Sequence, residues 1–582
     1  MTTSHDDRSG QFRRRPVSRR AVVRGGLAAG AVAASGVLLP GQPFAQGGAT
    51  PVASPVAGGA TPVATPVTNG ATPAASPIAV DGIIHSSVTG VPNAYTRMPA
   101  PFQSVASVPG SGGKVRMLTI SYAPPPTAKD ENTFWQELER RLGVEWAPEL
   151  APASSYPEKA TTTIAGGDIP ELFYLLESSA ASIISQSISQ GAFTDLTPYL
   201  EGAALADYPN LSLIPAQLWE NVRIEGKIYG VPKPVLRSNN IAFYRSDWAT
   251  TLGFAAPRTT DDVFNMFLAM AQGDPDGNGS NDSWGIAGYG GGWNMFLWKQ
   301  MFRTPYIWRL NADGTLTNEI ETDEFRQALD FAQRLYAADA YHPDTAGMLL
   351  DAEVNGFKGG SIGLFSGGFA TFFGAGGLID EAQKFNPNAI MAPLVPVGPD
   401  GNRGVTFAGQ GYFGSVGIPA SVTDEGRVRE LLRIMDYLSA PFGSEESNFL
   451  RYGLTEHHDV QPDGTLVKND KGRADISALV YPFLSEDYFF YPGHTEDAQK
   501  AQVINEQMAV IAVTNPAAGI ASPASTENAA ALTQLGTDSV TAMITGRESM
   551  DSLQGYINEW KSRGGDQVRQ ELEDGIRARQ GG

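Results

Sequence analysis

The chain has 582 residues, 42% of them hydrophobic, and carries 62 acidic against 42 basic side chains for a formal net charge of −20. That length supports roughly two to four globular domains with a large core, while the acidic excess argues against nucleic acid or an anionic membrane surface as partner, since both need cationic patches. The lack of any cysteine excludes disulfides, zinc-thiolate sites and lipid-modified cysteine.

Ser18-Arg19-Arg20-Ala21-Val22-Val23-Arg24 is a twin-arginine pattern ahead of a weakly apolar Ala/Gly-rich run. It predicts a signal peptide over residues 1–45 and export of an already folded chain to the cell envelope or beyond. The apolar run is too short and too glycine-rich for a comfortable membrane span; cleavage after Ala45 and retention as an uncleaved anchor both fit it. Residues 46–113 form a Pro/Ala/Thr-rich linker of the ATPVASP type and then a Gly-, Pro- and Ser-containing arm. The first part cannot bury apolar area and reads as an extended spacer; the second is expected to lie on the folded body.

From Lys114 onward strands alternate with helices. VRMLTI, VEWAPEL and ELFYL read as strands separated by helices around Asn132–Leu142 and Tyr156–Ala165, a spacing that implies βαβ units. An apolar strand through Ile241, Phe243 and Tyr244 follows a Pro-bounded turn. Phe325, Ala328, Leu329, Ala332, Leu335 and Tyr336 fall at helical spacing, after an Asp313-Gly314 hairpin. SIGLF, IMAPLVPVG and YFGSVGIP return to strand, and the last hundred or so residues are mainly helical.

The sharpest chemical motif is DPDGNGSND. Asp274, Asp276, Asn278, Ser280 and Asp282 fall on positions 1, 3, 5, 7 and 9 of a calcium loop, with Gly279 at the sharp turn. Alternate spacing lets oxygen donors fold back on one hard cation. Position 12, usually a bidentate Glu, is Gly285, so the last oxygens are expected from Ser283, water or a distant carboxylate. The same spacing also describes a solvated Asp/Asn/Gly turn.

Taken together, GAFTDLTPYL, KIYGVPKP with IAFYRSDWATTLGF, DPDGNGSND with WGIAGYG, WRLNADGTLTNEIETDEFRQALDFAQRLYA, SIGLF and ITGRESMDSLQGYINEW resemble the extracellular solute-binding proteins of carbohydrate importers. Within that class they are similar to the subgroup of alginate-binding and lipoprotein-type oligosaccharide receptors. The resemblance implies a two-lobed α/β fold, each lobe a mostly parallel sheet flanked by helices, with a ligand cleft between lobes. The chain would cross near Pro232–Ile241 and again near Phe407–Gly414. The expected divisions are residues 114–238 and 409–455 for the first lobe, and 239–408 and 456–582 for the second, with a structural calcium at 274–282.

Saccharide binding needs flat apolar faces and planar polar groups. Trp135, Trp293, Trp298, Tyr306, Trp308, Phe369 and Tyr412 lie in Gly- and Pro-rich surroundings and are candidate platforms, although such a residue taken alone is more often core. Arg237, Asn239 and Asn240 sit at the first expected crossing and are candidate hydroxyl partners, with Arg237 also able to hold a carboxylate bidentately. Three enzyme-like patterns lack their context. The Gly359–Gly363 GxSxG is followed by a strand rather than a helix. The Gly409–Gly414 GxGxxG is followed by Pro and reads better as a hinge, and His457-His458 reads as a surface loop rather than half a metal site. The expectation is a non-enzymatic monomeric receptor that closes on a mono- or oligosaccharide and delivers it to membrane permease subunits. The alternatives are a polysaccharide lyase or hydrolase, and an adhesin on a Pro-rich stalk.

Overall fold

The computed structural model describes residues 82–176, 181–520 and 522–581. The expected signal peptide and most of the expected linker lie outside them. The described part opens with a hairpin of β1 (Ile83–Ile84) and β2 (Ala94–Tyr95). β3 (Lys114–Ser121), β4 (Glu145–Pro152) and β5 (Leu172–Leu175) then alternate with helices Thr133–Leu142 and Tyr156–Gly166. The first helix starts where Asn132 Oδ1 accepts from the Trp135 N–H at 2.8 Å and stops at Gly143, whose φ of 69° suits a residue without Cβ. Its buried residues, Phe134, Leu138 and Leu142, recur every four positions.

β6 (Val231–Pro234) precedes a crossing to the second lobe, built on β7 (Asn240–Arg245), β8 (Leu364–Gly368) and β9 (Met391–Pro393). β10 (Thr406–Phe407) and β11 (Tyr412–Gly417) lead back to the first lobe, and β12 (Ala512–Val513) pairs in parallel with β10. The first sheet has the order β4-β3-β5-β11-β6 and the second β8-β7-β9. β3 is parallel to β4 and β5, but β11 is antiparallel to both β5 and β6, and both pairings in the second sheet are antiparallel. The two-lobed α/β architecture stands, while within the two lobe sheets the expected parallel pairing is confined to β3, β4 and β5. Among the described residues no helix is long and apolar enough to cross a membrane.

Three apolar cores hold these layers. Val115, Leu118, Phe134, Leu172, Val416 and Leu431 sit in the first lobe; Trp248, Phe267, Trp298, Leu329, Leu364 and Met543 in the second; Ile84, Phe243, Phe365, Phe489 and Ala501 beside the second sheet. The return through the first lobe is longer than the expected 409–455. Ile476, Leu479, Val480 and Phe483 belong to the first core, the Asn132 amide donates to the Asp475 carbonyl at 2.9 Å, and the Trp146 indole donates to the Leu479 carbonyl at 3.1 Å. His457 is not on a surface loop. It is fully buried, its Nδ1 accepts from the Leu454 N–H, and its Nε2 therefore donates to Asp475 Oδ2 at 3.1 Å.

One buried carboxyl gives the fold a pH dependence. Glu353, on helix Leu350–Gly359, is 2% exposed and accepts one hydrogen bond, from the Tyr289 N–H at 3.2 Å. Burial pushes its carboxyl up from 4.5 to about 7, against the smaller opposing effect of that N–H. The folded state therefore holds a proton that the unfolded chain has released across this window, so this group's contribution to stability falls as pH rises from 4.5 to about 7 and stays low above it. We expect Glu353→Gln, which keeps an acceptor for Tyr289 without the charge, to raise the melting temperature near pH ~8 and to flatten the slope between those limits. A variant less stable than the parent at that pH would contradict this account of the side chain.

Candidate functional site

The lobes meet where the crossings run side by side. The Val235 N–H donates to the Gly411 carbonyl at 2.9 Å, the Gly409 N–H to the Arg237 carbonyl at 2.8 Å, and the Glu486 N–H to the Pro234 carbonyl at 2.9 Å. The Arg237 Nε also reaches the Gly409 carbonyl at 3.3 Å. Gly411 has φ of 85°, which only glycine adopts without strain. The third segment, around Glu486, has no counterpart in the sequence reading.

On the first-lobe side the carboxyl ends of β3, β4 and β5 open toward this junction, the place where ligands enter open α/β sheets. Tyr122, just past β3, lies with its ring 6.3 Å from Phe413 and 5.6 Å from Tyr481. Lys233 on β6 is 0% exposed, with its Nζ 2.7 Å from Glu486 Oε1 and 3.6 Å from the centre of the Tyr481 ring. Burial holds the Lys233 ammonium below its ordinary value, and the Glu486 charge opposes that shift. These five residues escaped the sequence reading because they are scattered along the chain. The one signal was an aromatic residue directly after the first body strand.

On the second-lobe side, β7 begins at Asn240, which pairs with Gly368 at the end of β8. The Asn239 amide packs against Gly368, where an added Cβ would stand 3.4 Å from its Nδ2. Asn240, Phe296, Gln300, Ser366 and Met508 surround a water-sized cavity, and the Ser366 hydroxyl has no protein partner. A second pocket of 280 Å³ is lined by Arg303, Thr304, Tyr306, Trp308, Val405 and Val513 among others. Tyr306 stacks on Phe407 with ring centres 4.7 Å apart and planes 4° from parallel.

The candidate residues divide accordingly. Arg237, Asn239, Asn240 and Tyr412 lie at the junction, and Tyr306 on the pocket rim. Trp135 is instead at the far end of the first sheet, its indole donating to the Trp146 carbonyl at 2.9 Å near the start of β4. Trp293 and Trp298 are interior: the first donates to Thr541 Oγ1 at 3.0 Å, the second to the Trp293 carbonyl and the Tyr341 hydroxyl. Phe369 is buried against Phe373 and Phe489. Trp308 touches the pocket only by an edge, being 5% exposed and covered by Trp560 and Arg569. As platforms these five are corrected to packing positions, because their rings lie against other protein groups and the indole N–H groups of Trp135, Trp293 and Trp298 already have protein acceptors.

The acidic loop follows helix Thr260–Gln272 and turns through Gly277 and Gly279, at φ of 71° and 82°. Asp274 accepts from the Asn278 and Gly279 N–H groups at 3.0 and 2.9 Å, and the Ser280 N–H donates to Asn278 Oδ1 at 2.7 Å. The Asn278 amide stands between Asp276 and Asp282, donating to them at 2.8 and 3.2 Å. Among the described residues no three His, Cys, Asp or Glu side chains converge closely enough to hold an ion. The donor set nonetheless fits a hard cation: all oxygen, within one turn, with Asp276 pushed up first by burial and then by its acidic neighbours. Two details differ from the sequence reading. Ser283 is buried and donates to the Met270 carbonyl at 2.9 Å, so it supplies no ligand. Gly285 is closed to any side chain, since a Cβ there would lie 2.2 Å from the Phe267 carbonyl oxygen.

The fold is that of the two-domain extracellular solute-binding proteins. A solved structure of the Streptococcus pneumoniae ABC-transporter substrate-binding protein FusA with kestose superposes with a TM-score of 0.61 at 17% identity, covering 80% of this chain and 99% of that one. A second FusA structure, an EF-hand mutant with fructo-nystose, has a TM-score of 0.58 at 16% identity, covering 80% of this chain and 99% of that one. By sequence the chain is homologous to lipoprotein LipO of Bacillus subtilis, 27% identical over 486 residues, covering 80% of this chain and 93% of LipO. It is also homologous to the polygalacturonan/rhamnogalacturonan-binding protein YtcQ of the same organism, 22% identical over 481 residues, covering 81% and 92% of the two chains. No family model matches.

The Lys233–Glu486 pair yields an asymmetric prediction. Glu486→Ala leaves a fully buried ammonium without its carboxylate, whereas Lys233→Met leaves a carboxylate whose side chain is 43% exposed and can hydrate. We expect the first to cost about 1–2 kcal/mol more than the second, read from urea midpoints; equal losses would show that the charges do not bear on the junction.

Proposed function

We propose that this chain is the substrate-binding component of an ABC importer, capturing a saccharide between its lobes and presenting the closed form to membrane permease subunits. The observation that carries this reading is the junction itself: crossings hydrogen-bonded side by side, with Tyr122, Phe413 and Tyr481 on one flank and Asn239, Asn240 and Ser366 on the other. Aromatic rings offer flat apolar faces to pyranose C–H groups, and the amides and hydroxyl offer partners for sugar hydroxyls. Contacts from both flanks favour the closed arrangement by their difference in affinity for the two states. The names of LipO, YtcQ and FusA support the class of function, and their descriptions as lipoprotein or substrate-binding protein support a cell-envelope location. The twin-arginine pattern is the proposed export route. The protein acts as a monomer and not as an enzyme in this reading.

The loop at Asp274, Asp276, Asn278, Ser280 and Asp282 is proposed to hold a structural calcium, with the Asn278 amide turned to offer oxygen. Carboxylates gathered in one turn repel one another, and a bound cation would offset that repulsion while leaving the junction chemistry unchanged.

Two experiments test these readings. A thermal-shift screen of neutral and acidic oligosaccharides should find ligands that raise the melting temperature in proportion to the logarithm of their concentration, without product formation. Turnover of a saccharide would replace the receptor reading with an enzymatic one. Chelation with EGTA should lower the melting temperature, and calcium should restore it; an unmoved melting temperature reduces the loop to a turn, and loss of saccharide affinity in a fully folded protein would place the ion in the binding site.

A further inference from the structure

Residues 82–113 are anchored to both lobes. At one end Ile84, Val91 and Ala94 are buried in the core that contains Phe369, Phe489, Ala501 and Met508. The Ser86 hydroxyl donates to Glu506 Oε1 at 2.7 Å, the Gln502 amide to the Ile84 and Pro92 carbonyls at 2.9 and 3.1 Å, and the Tyr95 N–H to the Phe489 carbonyl at 2.8 Å. At the other end the Ser104 N–H and hydroxyl donate to Glu446 Oε2 at 2.9 and 2.8 Å, and the Ser111 N–H and hydroxyl to Glu430 Oε1 at 2.6 and 2.8 Å. Both glutamates are buried, 5% and 7% exposed; Glu430 also pairs through Oε2 with Arg427 at 2.7 Å, and the arm supplies the bonds to its Oε1 and to Glu446.

Between the anchors lies Arg97-Met98-Pro99-Ala100-Pro101. A residue spans at most ~3.5 Å, and two prolines fix φ in this short link. The Tyr95 ring packs against Phe442 at 4.9 Å, and Phe442 stacks on Tyr488 at 4.1 Å, so the link passes beside the crossing that contains Glu486.

We propose that this arm is a fourth connection between the lobes, a strap that limits how far they turn about the junction. Any rotation that carries helix Thr495–Ala509 away from helices Glu425–Leu438 and Glu445–Tyr452 must stretch a short proline-containing link or strip hydrogen bonds from buried carboxylates. The strap narrows the ligand-free ensemble and so reduces the ordering that capture requires.

The chain has no cysteine, so labels placed by Leu213→Cys on the first lobe and Phe385→Cys on the second report the inter-lobe distance without background. Both positions are exposed. Spin-label distance distributions of the ligand-free full chain should broaden when a flexible Gly-Ser segment is inserted between Arg97, which packs on Gly82 of the hairpin, and Met98, whose Sδ accepts from the Leu466 N–H at 3.4 Å, beyond the width the labels themselves contribute. The combination of Glu430→Ala and Glu446→Ala, which removes the acceptors of both the N–H and the hydroxyl bonds from Ser104 and Ser111 and so loosens the first-lobe anchor without lengthening the link, should do the same at an unchanged label environment. Distributions that match the parent's in both variants would overturn the strap. Because no saccharide enters the measurement, its failure is separate from failure of the receptor reading.

Discussion

The whole arrangement depends on the backbone ladder at the junction. β6 leaves the first lobe, β11 re-enters it, and the segment around Glu486 passes between the two lobes, all within hydrogen-bonding reach of one another. Neighbouring crossings let the lobes turn by small changes in a few dihedral angles while barring them from separating. The buried Lys233 ammonium, held by Glu486 and laid over Tyr481, ties the third segment to β6. The charge is costly to bury alone, and so it favours one relative placement of these segments.

Away from the junction, the second lobe is organised around aromatic residues and an acidic turn. Trp293, Trp298 and Phe331 form a packed group against Tyr341, with each indole N–H bonded. The acidic turn closes against the end of helix Thr260–Gln272, where Ser283 and Gly285 meet the Met270 and Phe267 carbonyls. Its partners in that corner belong to the lobe's own packing, which is why a cation there would bear on stability and not on ligand capture.

Much of the fold was legible in the sequence. Helix Asp323–Ala337 buries Phe325, Ala328, Leu329, Ala332 and Leu335 as its periodicity picks out, with Phe331 buried in addition and Tyr336 only half-buried; β3, β4 and β5 fall where the βαβ spacing puts them, and the Asp313-Gly314 turn joins an antiparallel pair. Strand direction in the second lobe was not legible, because β8 and β9 each follow helices as parallel strands do but enter the sheet from the opposite end. The passage near Glu486 carries no glycine to mark it. The tryptophans misled for a different reason: a ring that binds sugar and one that fills a core have the same composition signature, and only the tertiary neighbours separate them, as indole N–H acceptors for Trp293 and Trp298 and as covering side chains for Trp308.

The central claim is that the lobes close on a saccharide. Small-angle scattering of the calcium-supplemented protein, recorded before and after saturation with an oligosaccharide that raises its melting temperature, measures that closure directly. The account predicts a smaller radius of gyration in the bound state with unchanged molecular mass; saturable binding with no change in the scattering curve would contradict it.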